Sequence, residues 1–325
     1  MRIALIAPTA LTVFPKDYGG IELEVGLLAR GLCERGHCVI LVAKEGSMIP
    51  ARGELLESSH EHYSYRLLEN VVHDIVIDFS HDKALSISHP EWYQINVHQV
   101  MSLMGYPINP VLISQGQHRM KMPNVKCEII HQHIDLGAYE PNYNGNSGYF
   151  LYMGQIIEEK RVGWSIATAL ETGSALKVFG PWWGDAQYMD SLRRMAEGHP
   201  KIELHDSIGG DEKYKVLREA KALLHFPGAK GFCEAGSIIT LEALASGTPA
   251  IVSDNGVHRE YIRDGLNGFV VNDYKDAVRL IQDGALDSLN RRDCRQSVEW
   301  ANYSNMAYMY EVLCQRVLNG ETWNV

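Results

Sequence analysis

A chain of 325 residues with 46% apolar and 22% charged side chains has an ordinary globular composition and enough length for two domains of the usual size. Its net charge of −10 is spread evenly, with eleven Lys/Arg against sixteen Asp/Glu up to residue 145 and nineteen against twenty-four beyond it. That balance excludes a protein held on nucleic-acid phosphates or anionic lipid mainly by charge, though not a local basic pocket. Six scattered cysteines with no CxxC spacing predict reduced thiols and a cytoplasmic location. No apolar run approaches the roughly 20 residues that cross a bilayer. The opening MRIALIAPTALTVF reads as structure rather than a cleaved signal, because Pro8 interrupts it and a helix–strand pattern follows directly.

In chain order, the continuous apolar run 2–7 predicts a fully buried strand. A loop with Pro15, Gly19 and Gly20 leads into a helix over 21–35, striped by Ile21, Val25, Leu28 and Leu32 and closed by Gly36. Residues 38–43 form the next strand, and this strand–helix–strand unit predicts a parallel sheet covered on both faces. The stretch 46–70 is polar and gives no clear element. Further strands are expected at 74–79, 93–98, 110–114 and 126–131, and the Gly-, Asn- and Pro-rich segment 136–148 reads as a linker. The alternation then restarts, with strands at 149–153, 175–179, 201–205, 221–226, 249–253 and 268–271. Helices are expected near 161–172, 186–197, 211–219, 236–246, 256–263 and 274–283. The tail 287–319 reads as one or two helices. The fold class is α/β, two doubly wound Rossmann-like domains, over 1–140 and 141–325, with a tail helix over 300–319 able to pack back on the first.

Such sheets bind ligands beyond the C-terminal ends of their strands, so the chemistry is sought in strand-to-helix loops. Gly19-Gly20 opens the first helix, where glycine lets backbone approach a ligand and free N–H groups suit an anion. It is not a GxGxxG dinucleotide fingerprint, and a plain tight turn explains it equally well. The run Gly231 to Pro249 places Glu234 in a loop, Gly236 and Ser237 at a helix start, and Glu242 about two turns in. A phosphate would sit well over Ser237, Ile238 and Ile239. Glu242, among Leu241, Ala243 and Leu244, needs partners if buried, such as a pair of hydroxyls or a buried cation. Lys160 lies in a loop before a helix, within a Glu-Glu-Lys-Arg run that a solvated surface would also explain. Ten of the fourteen histidines precede residue 145. His98 ends a strand on the ligand side, and His131-x-His133 has metal-like spacing but no evident third ligand.

Taken jointly, these segments resemble retaining glycosyltransferases of the GT-B fold, glycosyltransferase family 4. Glu234 and Glu242 match that family's E-x7-E signature, and FCEAGSIITLEALASGTPAIVSDNGVHREYIRDGLNGFVV its nucleotide-sugar segment. YGGIELEVGLLARGLCERGHCVILVA is similar to its Gly-Gly loop, helix and strand entry, and HQHIDLGAYEP to its linker segment. The resemblance extends from residue 2 to the Tyr303-Ser304 region. It implies two domains facing across a cleft, a nucleoside-diphosphate sugar donor, and no metal or other cofactor. UDP-sugar is the favoured donor, with GDP-sugar a possibility.

The resemblance also implies roles. Gly19 and Gly20 would approach the diphosphate, and Lys160 would pair with it. Glu234 would hold hydroxyls of the transferred sugar, and Glu242 would bridge the ribose hydroxyls. Gly236, Ser237, Ile238 and Ile239 would frame the diphosphate, and the base would lie near Gly180, His205, Ser207 and Ile208. His98 would stand near the reacting sugar. Three departures matter. Gln155 stands where the family has a phosphate arginine, with Arg161 a substitute; Ala235-Gly236-Ser237 replaces Phe-Gly-Leu; and Gln132-His133 replaces Asn-Gly. The acceptor would bind the first domain, whose middle (46–70 and 80–125) is the least family-like part. The absence of a basic amphipathic helix favours a small soluble acceptor over a lipid. The other readings are a GT-B sugar-nucleotide epimerase or phosphorylase, a non-catalytic sugar-nucleotide-binding protein and, more weakly, a nicotinamide dehydrogenase.

Overall fold

The structure is a computed structural model and describes residues 1–99 and 108–323. The chain divides into two compact units. The first comprises Met1–Pro15, Gly19–Asp135 and Ala301–Val325; the second comprises Lys16–Tyr18 and Leu136–Trp300.

In the first unit the chain runs through β1 (Arg2–Ile6), α1 (Gly20–Glu34), β2 (Cys38–Ala43), β3 (Gly53–Glu57), β4 (Ile75–Asp78), α2 (Ala84–Ser88), β5 (Gln94–His98), β6 (Pro110–Leu112), α3 (Gln115–Lys121) and β7 (Glu128–Ile129). Among the described residues these strands form one seven-stranded parallel sheet in the order β3-β2-β1-β4-β5-β6-β7. The apolar runs explain the interior strands: Ile3 pairs with Val39 on one side and Ile75 on the other, and all three are fully buried. Gly36, at φ 88°, follows the last turn of α1 as expected, and its N–H returns to Cys33 O at 3.0 Å.

The segment 46–70 supplies what the sequence left open. Its β3 is an edge strand whose side chains are only partly buried, so it never acquires the apolar run of a central strand. A 3₁₀ helix over Glu61–Leu68 follows, with Tyr65 and Leu68 packed into the core. The short helices α2 and α3 were likewise unmarked by periodicity. Of the 80–125 stretch, residues 100–107 lie outside the described residues.

In the second unit, β8 (Tyr149–Met153), α4 (Val162–Thr172), β9 (Ala175–Phe179), α5 (Ala186–Ala196), β10 (Ile202–His205), α6 (Gly210–Glu219), β11 (Ala222–His225), α7 (Ile238–Ala245), β12 (Ala250–Ser253), α8 (His258–Tyr261), β13 (Gly268–Val271), α9 (Tyr274–Gln282) and α10 (Arg291–Gln296) follow in turn. Among the described residues the sheet is six-stranded and parallel, in the order β10-β9-β8-β11-β12-β13. Phe150, Val178, Leu224 and Ile251 fill its core with Val162 and Ile166 of α4.

The chain returns to the first unit through α11 (Tyr303–Leu318). Gly31 of α1 permits the crossing, since a Cβ there would stand 2.6 Å from Ala307 Cβ. Tyr310 is fully buried with its ring centroid 6.1 Å from that of Phe79. All six cysteines are free. Among the described residues no helix is long and apolar enough to cross a membrane.

Candidate functional site

The order of the second sheet decides what meets. Its two halves diverge between β8 and β11, which are parallel neighbours. Loops leaving the C-terminal ends of such strands open the crevice where doubly wound sheets take ligands. One of these loops carries Lys160 and the other Glu234, 74 positions apart in sequence, and they meet as an ion pair with Nζ 2.5 Å from Oε2.

The backbone at Glu234 is pinned from β12's loop. Asn255 Oδ1 accepts the Glu234 N–H at 2.6 Å, and the Glu234 carbonyl accepts the Val257 N–H at 2.9 Å. Gly256 makes this possible: it sits at φ 55°, and a Cβ on it would lie 2.0 Å from the Glu234 carbonyl oxygen. The residue is 4% exposed. His225, the last residue of β11, places Nε2 3.4 Å from Oε1. Burial alone would raise the Glu234 carboxyl, but Lys160 and then His225 outweigh it and hold the group far below the usual carboxylate range. Lys160 also lies 4.8 Å over the Phe232 ring.

Glu242 occupies the second turn of α7 and is 1% exposed. Tyr139 donates to its Oε1 at 2.6 Å and Lys213 at 2.7 Å, so both recorded bonds fall on one oxygen. At the start of α7, Ser237 Oγ bonds Thr240 Oγ1 at 2.9 Å and caps no N–H. The first-turn N–H groups over 237–239 therefore keep their helix-end character.

The remaining positions of this unit divide. Gly180 follows β9 so tightly against Gly154 that a Cβ would stand 1.7 Å from the Gly154 carbonyl oxygen. His205 stacks on Phe179 at 4.6 Å and bonds Glu203 at 3.0 Å, while Ser207 and Ile208 are half-buried beyond it. Gln155 accepts the Tyr152 hydroxyl on its carbonyl at 2.7 Å. Arg161 donates to the Gly228 carbonyl at 2.8 Å and lies 4.4 Å over Trp164, so its guanidinium is already engaged at the floor of the Glu234 loop.

In the first unit, Gly19 has φ 144°, and a Cβ there would meet Pro15 at 2.8 Å; Gly20 begins α1. His98 ends β5, 2% exposed, in a small pocket lined by Ser80, Lys83 and Gln99. Burial, then the charge of Lys83, lowers its pKa to about 3, and neither ring nitrogen has a partner among the described residues. His133 bonds the His131 carbonyl at 2.7 Å, and among the described residues no group of three or more His, Cys, Asp or Glu could hold a metal ion.

Sequence reasoning missed Tyr139, Lys213, His225, Asn255 and His258. Only His225 carried a usable signal, since it ends a strand on the ligand side as His98 does.

Residues 140–299 match the family described as glycosyl transferases group 1. No curated protein matches the sequence. Among solved structures, AviGT4, a glycosyltransferase involved in avilamycin A biosynthesis, is 24% identical, with 99% of each chain covered and a TM-score of 0.84. A glycosyltransferase from Rickettsia africae is 14% identical, with 98% of this chain and 99% of that one covered and a TM-score of 0.75. Anabaena Alr3699/HepE in complex with UDP and glucose is 14% identical, with 97% and 100% covered and a TM-score of 0.72. With its two parallel α/β sheets and a glycosyl transferases group 1 match over 140–299, the chain has the fold of a GT-B glycosyltransferase, and these findings support that class of enzyme.

Proposed function

We propose that this protein is a retaining glycosyltransferase, in glycosyltransferase family 4, that moves a sugar from a nucleoside-diphosphate donor to a hydroxyl of a small soluble acceptor. The observation that carries the reading is the meeting of Lys160 and Glu234 at the strand-order switch of the second sheet, beside the start of α7. UDP-sugar is the favoured donor and GDP-sugar the second choice; Anabaena Alr3699/HepE, of like fold, is solved with UDP-glucose.

In this reading the bond between the anomeric carbon and the diphosphate oxygen breaks, and its electron pair leaves with the diphosphate. Lys160 and the N–H groups over 236–239 stabilise that charge as it develops. The acceptor oxygen bonds the anomeric carbon on the same face, and its proton passes to a phosphate oxygen of the leaving group. Glu234 accepts hydrogen bonds from hydroxyls of the transferred sugar. Glu242, with Oε1 saturated by Tyr139 and Lys213, offers Oε2 to the ribose. Gly19 and Gly20 keep the diphosphate role and His98 the reacting-sugar role that the resemblance implies, and Gly180 with 205–208 borders the base. With Gln155 in place of a cation and Arg161 engaged elsewhere, Lys160 carries most of the side-chain positive charge. The reading needs no metal or other cofactor and places the enzyme in the cytoplasm.

Binding and thermal shift against UDP-, GDP-, ADP- and dTDP-sugars, followed by hydrolysis of the best donor, test the reading. Stabilisation by one donor class and slow release of its nucleoside diphosphate are expected. No response to any donor would refute it.

A further inference from the structure

Glu234 is held from two sides: Lys160 lies 2.5 Å from Oε2 and His225 Nε2 3.4 Å from Oε1. An ionised carboxylate only accepts, so Nε2 must carry the hydrogen in this contact, which leaves Nδ1 of His225 as a bare lone pair. His225 is buried, and its Nδ1 has no partner among the described residues. Behind it, fully buried His258 donates Nδ1–H to the Ser253 carbonyl at 2.8 Å, which leaves Nε2 of that ring bare and unpartnered as well. The two rings meet edge-to-face with centroids 5.6 Å apart, and the His225 centroid lies 5.8 Å from that of Tyr152. Each buried, unmet acceptor has lost its water and gained no partner in return, which is a net cost to the fold. Two apolar rings would fill the same space without that cost, and departures of this kind gather at functional sites.

We propose that His225, backed by His258, is a positioning residue that keeps Glu234 in its working orientation when the donor diphosphate draws Lys160 away. This rests on Lys160 being the partner of the diphosphate. A single ammonium cannot serve the carboxylate and the diphosphate at full strength, so donor binding loosens Oε2. The donor hydrogen on His225 then holds Oε1 and leaves Oε2 turned to the sugar. A contact that is long in the free protein commonly tightens in the complex. The groups facing His225 are Glu234, Lys160, His258 and Tyr152. Burial lowers the pKa of His225, and that of His258 falls to about 3, so the pair acts through neutral rings at physiological pH.

The test is His225→Phe, which keeps the ring and removes both nitrogens. Turnover should fall about 10- to 100-fold, the cost of a small misplacement of a reacting group, while Kd for free UDP stays within about twofold and the melting temperature does not drop. His225→Gln, which restores a donor, should recover part of the loss. In a Glu234→Gln background, His225→Phe should add nothing further. Normal turnover in His225→Phe, losses that add to those of Glu234→Gln, or an equal loss of UDP affinity would overturn the assignment. If Lys160→Ala leaves the affinity for the preferred nucleoside diphosphate unchanged, or the intact protein binds none of UDP, GDP, ADP and dTDP, the diphosphate reading itself fails and this assignment fails with it.

Discussion

Lys160→Ala removes the cation from a carboxylate buried almost completely inside the second unit. In the native protein the folded-state pKa of Glu234 lies below its unfolded value of about 4.3. The stabilisation from the pair is therefore fully present above that pH and is lost as pH falls through the folded value. In the variant, burial acts against His225 alone, and the folded-state pKa of Glu234 moves above the unfolded one. The variant's deficit is then smallest in acid, grows as pH rises through the unfolded value to that raised value, and is complete above it. Breaking a buried pair by removing one partner costs about 3 kcal/mol at neutral pH. For a unit of this size, at about 2–4 °C per kcal/mol, this is roughly 6–12 °C in melting temperature. Thermal unfolding of both proteins at pH 5 and pH 8 reads the effect directly, and Glu234→Gln in the same background should restore most of the loss. Release of nucleoside diphosphate in the presence of acceptor should fall about 100- to 1000-fold, the range for losing one preorganised stabiliser of a developing anion. Equal melting at both pH values with near-normal turnover would refute the assigned pairing and the assigned role together.

Glu234→Ala should cut turnover by orders of magnitude while circular dichroism shows the fold intact; near-normal rates would argue against sugar binding there. Glu242→Gln keeps an acceptor for Tyr139 and Lys213 but discards the charge, and should weaken UDP binding by about tenfold in calorimetry; unchanged affinity with lowered stability would make Glu242 purely a buried anchor. Gly256→Ala places a Cβ 2.0 Å from the Glu234 carbonyl oxygen, so it should lower both stability, by about 1–3 kcal/mol in denaturant titration, and turnover. Because His98 has its pKa lowered to about 3, its imidazole signals in a pH titration by NMR should show no charging between pH 5 and 8, and any acid limb in that range belongs to another group.

Much of the fold was legible because burial leaves a local record. Strands covered on both faces are continuous apolar runs, and all twelve expected strand positions are occupied among the described residues. Where burial is partial the record fades: β3, at the sheet edge, reads as polar chain. Within the candidate site, the spacing of Glu234 and Glu242 and the helix start between them were visible, since they are properties of one loop and one helix. Their partners were not. Lys213 lies in α6, Tyr139 in the segment before β8 and Asn255 beyond β12, and nothing in the neighbourhood of any of these residues marks it as bound to a glutamate.

The sequence by itself therefore determined the α/β class, the positions of the interior strands and the residues set at strand ends, because each depends on the periodicity of a single segment. Tertiary structure alone decided that β8 lies beside β11, which brings Lys160 onto Glu234, that two histidines stand beneath that carboxylate, and that α11 returns to α1. The physical reason is range: burial imprints itself on neighbouring residues, whereas an ion pair across 74 positions exists only once the order of strands has been chosen.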